Sequence, residues 1–230
     1  MTITESAATS GVAARAKTAT WLFLGSFVAC VGVIVVSMLL FNRDYQTALY
    51  DRADELGVNQ NHLPAEVMAD LGRAHPDALG VLVATAALFL LSGALLAWGT
   101  GLLGGVAGRR ASTQAAIVLA LLGGLAMAVM TFLPRRLSGG SAWLADNWWV
   151  YLTLVNTAVI ADALALILVA IGVRSAGLAR RTAVVVIALC ALTVVAQLVA
   201  SAPPIVPMLL GTVLAFNVER AARRTGPGTS

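Results

Sequence analysis

The chain has 230 residues, of which 59% are hydrophobic and only 11% charged, and its formal net charge is +4. A soluble domain carries roughly a quarter charged residues, so this composition excludes a water-exposed globular fold. Apolar stretches of about 20 residues recur with charges confined to the gaps between them, the pattern of an all-α integral membrane protein. The basic excess then reports orientation in a bilayer and argues for no nucleic-acid partner.

Residues 1–19 are mostly small and uncharged and are expected to form a flexible cytoplasmic tail. The first span, about 20–41, is too long for a signal-peptide apolar region and no small-residue cleavage site follows it, so it reads as an uncleaved signal anchor. Residues 42–77 hold seven of the eleven acidic residues against three arginines, giving this segment a charge of about −4 and the remainder about +8. Two short helices fit there. One would run from Asp44 to Leu56 with Gly57 as a left-handed cap, and the next would open at Pro64 with Glu66 near its positive end. Together they form a small extracytoplasmic cap, too poor in apolar residues to stand as a separate domain.

Further spans are expected at about 78–103, 114–133, 149–173, 182–202 and 204–218, making a six-helix transmembrane bundle from 20 to 218 and a basic cytoplasmic tail from 219 to 230. The sixth is short for an apolar layer of about 30 Å. It begins among Pro203, Pro204 and Pro207, and Pro204 suits a first helical turn. Arg15, Lys17, Arg109, Arg110, Arg174, Arg180, Arg181, Arg220, Arg223 and Arg224 all fall on one side of this layout, which places both termini in the cytoplasm. Arg135 and Arg136 run against that rule in the loop 134–149 and are candidates for contact with outer-leaflet phosphates or the acidic cap. Trp143, Trp148 and Trp149 suit interfacial anchoring. The excess of arginine over a single lysine, with alanine-rich spans, points to a GC-rich bacterial genome and hence to a bacterial cytoplasmic membrane.

Several chemistries lack their residues. The only histidines, His62 and His75, lie in the cap, so no span offers a haem ligand or a base for a serine nucleophile. Their spacing matches no metal motif, and neither a phosphate-binding loop nor a C-x-x-C pair occurs. Cys30 and Cys190 lie within spans and read as small buried residues. No cofactor, metal site or catalytic constellation is expected.

One residue stands out. Asp162 interrupts the apolar run "NTAVIADALALILVAIG" about 18 Å from either end of its span at 1.5 Å per residue, close to the midplane. An ionised carboxylate facing lipid there costs about 3 kcal/mol or more, so it should face protein. Thr157, Ala161 and Ala165 form a small-residue ladder beside it, and Ala120, Gly124 and Ala128 repeat the spacing in the third span; the two ladders are expected to meet. Glycines 101, 104, 105 and 108 offer either another packing surface or a turn. Asn156, Thr193 and Gln197 are the available polar partners at neighbouring depths, and no cation lies at mid-depth. Asp162 then either couples a proton or ion to transport, or pairs with another subunit, or fixes helix register by hydrogen bonding. The leading expectation is a non-enzymatic accessory or assembly subunit working through other membrane proteins or self-association. The alternative is a small transporter, or transporter subunit, coupled through Asp162.

Overall fold

The structure, a computed structural model, describes residues 3–39, 43–59, 63–74, 77–136, 148–199 and 204–225. Among these residues every regular element is a helix: α1 (Ile3–Leu39), α2 (Arg43–Leu56), α3 (Ala65–Ala74), α4 (Asp77–Val106), α5 (Arg110–Arg136), α6 (Trp148–Ser175), α7 (Arg180–Val199) and α8 (Val206–Thr225). Five stretches are long and apolar enough to cross a membrane: Ser10–Val36, Gly80–Val106, Arg110–Thr131, Leu152–Ser175 and Arg180–Val199. The chain thus has the helices of a multi-pass membrane protein.

The side chains are distributed as lipid solvation requires. Small residues such as Ala16, Ala97, Ala120, Ala165 and Ala183 are buried between helices, while Trp98, Leu125, Leu192 and Phe216 point outward. Lipid tails solvate a leucine as well as a protein interior does, so association between spans relies on close backbone approach and on interhelical hydrogen bonds. Polar side chains are mostly satisfied on their own helix: Thr131, Thr153 and Thr212 each donate to the carbonyl four residues back.

The long helices form a closed ring. α1 packs on α4 and α8, α4 on α5, α5 on α6, α6 on α7, and α7 on α8, with further contacts of α6 across the interior to α4 and α8. Two devices tie α1 into this ring. Ser26 and Ser92 exchange hydroxyl-to-carbonyl bonds across α1 and α4, at 2.9 Å from Ser26 Oγ to the Ser92 carbonyl and 3.0 Å in return. Three residues away, the fully buried Phe23 ring is wedged between bare backbone at Gly99 of α4 and Gly211 of α8.

Three features differ from expectation. The helix α1 begins at Ile3, where a tail through residue 19 was expected, because the alanine-rich segment favours helix and Ala16 and Ala19 pack into the core. Pro204 sits in a turn ahead of α8, and it is Pro207 that occupies the first helical turn, where a missing N–H leaves no bond unmade. The last helix carries Glu219, Arg220, Arg223 and Arg224 in its second half and does not join the five long apolar ones. The glycines for which the sequence left packing and turn both open divide between them: Gly101 and Gly104 pack against Ile117 and Thr113 of α5, Gly108, just beyond α4, turns the chain at φ 70°, and Gly105 meets nothing within 4 Å.

In the segment between α1 and α4, α2 ends at Gly57 with φ 63°. α3 begins after Pro64, whose carbonyl accepts from Met68 N at 3.1 Å, and carries Glu66 in its first turn. His62 and His75 lie outside the described residues, as do Trp143 and the side chains of Trp148, Arg135 and Arg136. Trp149 is exposed.

Candidate functional site

The adjacent glycines Gly123 and Gly124 determine how α5 meets its neighbours. Successive helical residues project about 100° apart, so the pair presents bare backbone to two partners at once. Gly124 serves α4: a Cβ built on Gly93 would lie 2.7 Å from Gly124 Cα and 3.2 Å from the Ala120 carbonyl oxygen. Gly123 serves α6: a Cβ there would lie 2.8 Å from the Asp162 carboxyl carbon and 3.1 Å from the Ala158 carbonyl oxygen, with Asp162 Oδ1 nearer still. Asp162 therefore lies against the main chain of α5, in the space that a side chain on Gly123 would fill.

This arrangement corrects the expected ladder pairing. Ala120 and Gly124 face α4, and the surface of α5 that meets α6 is centred on Gly123. Ala128, Ala161 and Ala165 are buried, but Thr157 is exposed and belongs to the outer face of α6. The doublet in "LALLGGLAM" carried the missing signal, since two glycines in succession allow two close approaches on different faces.

Asp162 is 5% exposed, and its Oδ1 is enclosed with no hydrogen-bond partner among the described residues. The expected polar partners bond elsewhere. Gln197 Nε2 donates to Asn156 Oδ1 at 2.8 Å, linking α7 to α6 nearer the start of α6, and Thr193 Oγ1 donates to the Leu189 carbonyl of its own helix at 2.8 Å. The backbone of α5 at Gly123 lies within a helical run whose N–H groups are bonded along the helix, so it has no donor free for the carboxyl. Every other buried polar side-chain atom described either has a partner or reaches the surface.

Beside this acid, on the outer side of α5 and α6, an open groove of about 340 Å³ is lined by Leu119, Thr153, Asn156, Thr157 and Ala161. Cys30 and Cys190 are buried and unpaired with each other. Sequence reasoning also missed the Ser26–Ser92 pair, although each serine sits beside a glycine, in "GS" and "SG", which is how two helices come close enough for short side chains to reach across. No protein-family model, curated protein or solved structure matches the chain.

Proposed function

We propose that this chain is a small non-enzymatic transport protein, or transporter subunit, of a bacterial cytoplasmic membrane, and that Asp162 is its coupling residue, binding and releasing a proton or small cation. One observation carries the reading: a carboxyl oxygen enclosed at mid-span, turned into its own bundle and without a hydrogen-bond partner among the described residues. Buried unsatisfied groups are rare and call for a specific reason, and an ionisable residue within a span is a functional candidate by default. Its inward direction favours a role within this chain over pairing with a second subunit. In this reading α8 completes a six-span bundle, the arginine-rich ends face the cytoplasm together with both termini, and α2 and α3 form the external cap.

The test is the Asp162→Asn variant in reconstituted vesicles, followed by the infrared carboxyl C=O band during pH or sodium jumps. Wild type should show a band responding to the jump and the variant should lack it, with both proteins equally abundant and monodisperse. An identical response in both proteins refutes the coupling role; loss of the folded variant assigns Asp162 to packing.

The groove across α5 and α6 favours a second reading. Thr153 and Thr157 are exposed beside it on a lipid-facing surface, and polar groups there suit contact with another membrane helix. An accessory or assembly subunit would use that face. Purification in mild detergent separates the readings: a chain that runs alone and monomeric removes the accessory role.

A further inference from the structure

Away from Asp162, the ends of α7 and α8 enclose an open cleft of about 300 Å³. Arg180, Arg181 and Thr182 line it from the start of α7, and Asn217, Arg220 and Arg224 line it from α8. Arg220 and Arg224 are four residues apart and share one helix face. The sole acid in α8, Glu219, is engaged by Arg223 at 2.6 Å, and Arg223 is not part of the cleft. None of the four cleft arginines forms an ion pair among the described residues. Four like charges around one small space repel one another, and an anion seated among them would relieve that repulsion.

Depth identifies the ligand class. Arg181 and Thr182 precede the apolar run of α7, and Asn217 stands where α8 passes from apolar residues to Glu219 and Arg220. Both walls of the cleft therefore change from apolar to charged at the same level, the level of lipid headgroups. The first N–H groups of α7 add donors and partial positive charge on the same side. Guanidinium groups bind phosphate oxygens in paired hydrogen bonds, and ligand clefts begin at roughly 300 Å³, enough for a headgroup.

We infer that this cleft is a binding site for the phosphate of an anionic phospholipid headgroup. Arg180 and Arg220, contributed by different helices, clamp the phosphate between α7 and α8. The lipid thereby staples α8 to α7.

The full-length protein in neutral detergent is titrated with phosphatidylglycerol, phosphatidylcholine or inorganic phosphate, and bound lipid is counted by native mass spectrometry alongside thermal stability. Phosphatidylglycerol should bind and stabilise, phosphatidylcholine should do so weakly, and inorganic phosphate should do neither at equal concentration. Each Arg→Gln change should weaken binding about fivefold and the pair Arg180→Gln/Arg220→Gln roughly 25-fold. Arg174→Gln, outside the cleft, should leave it unchanged. Equal binding by the paired variant and wild type, or equal stabilisation by inorganic phosphate, overturns the assignment. If the paired variant is not monodisperse, a salt titration of wild type decides: retention of phosphatidylglycerol that is indifferent to salt overturns it equally.

Discussion

The contact between Gly93 and Gly124 makes a quantitative demand on the bundle. Replacing Gly93 by alanine places a methyl carbon 2.7 Å from Gly124 Cα and 3.2 Å from the Ala120 carbonyl oxygen. Carbon atoms in contact normally stand about 3.5–4.0 Å apart, so α4 and α5 must separate by about 1 Å at their crossing. Neither atom met is the end of a flexible side chain, and the strain cannot be relieved by a rotamer change. Overpacking of this kind costs about 1–3 kcal/mol, against a gain of up to about 1 kcal/mol from the better helix propensity of alanine. Even with the full propensity gain a net loss of up to about 2 kcal/mol follows, which for a chain of this size lowers Tm by up to roughly 8 °C. The internal control is Gly105→Ala in the same helix, where a Cβ meets nothing within 4 Å and stability should hold or rise slightly. The assay heats detergent-solubilised protein and measures the monodisperse fraction by size-exclusion fluorescence. If Gly93→Ala melts with or above Gly105→Ala, the close crossing of α4 and α5 is wrong.

Gly123→Ala should also destabilise, because its methyl enters the space of the Asp162 carboxyl; adding Asp162→Ala should restore part of the loss in the same melting assay, whereas a further loss would disprove that contact. Ser26→Ala and Ser92→Ala should each lower stability by about 0.6–1.7 kcal/mol. The double variant should fall short of their sum, because the two serines share reciprocal bonds; strict additivity in a double-mutant cycle would contradict the pairing.

Helix class and the approximate position of each long helix were legible because lipid imposes one strong rule, an unbroken apolar run of bridging length. Gly57 and Pro64 were equally informative, since left-handed backbone and a missing N–H are local requirements. The phase of helix packing was not. An apolar span has apolar residues all round, so its inward face is marked only by small residues, and α5 has small residues on two faces. Which face meets which helix depends on ring order, a property of the whole bundle. Thr157 shows the same limit: its spacing matches Ala161 and Ala165, yet it lies on the outside. Asp162 was recognisable as exceptional from one letter in an apolar run, but its seat against Gly123 required knowing that α5 and α6 are neighbours.

The Phe23 wedge has a consequence for the order in which the molecule is made. Gly99 emerges from the ribosome first and can close on one side of the ring together with the Ser26–Ser92 clasp, whereas Gly211 belongs to α8, which follows the other seven described helices in the chain. Until α8 is made, one face of the ring is left to acyl chains, a tolerable host for an apolar side chain. The unfinished chain is therefore an open arc whose seam lies between α1 and α7. Arrival of α8 converts it to a ring, and Phe23 acts as the keyway that α8 must find through Gly211.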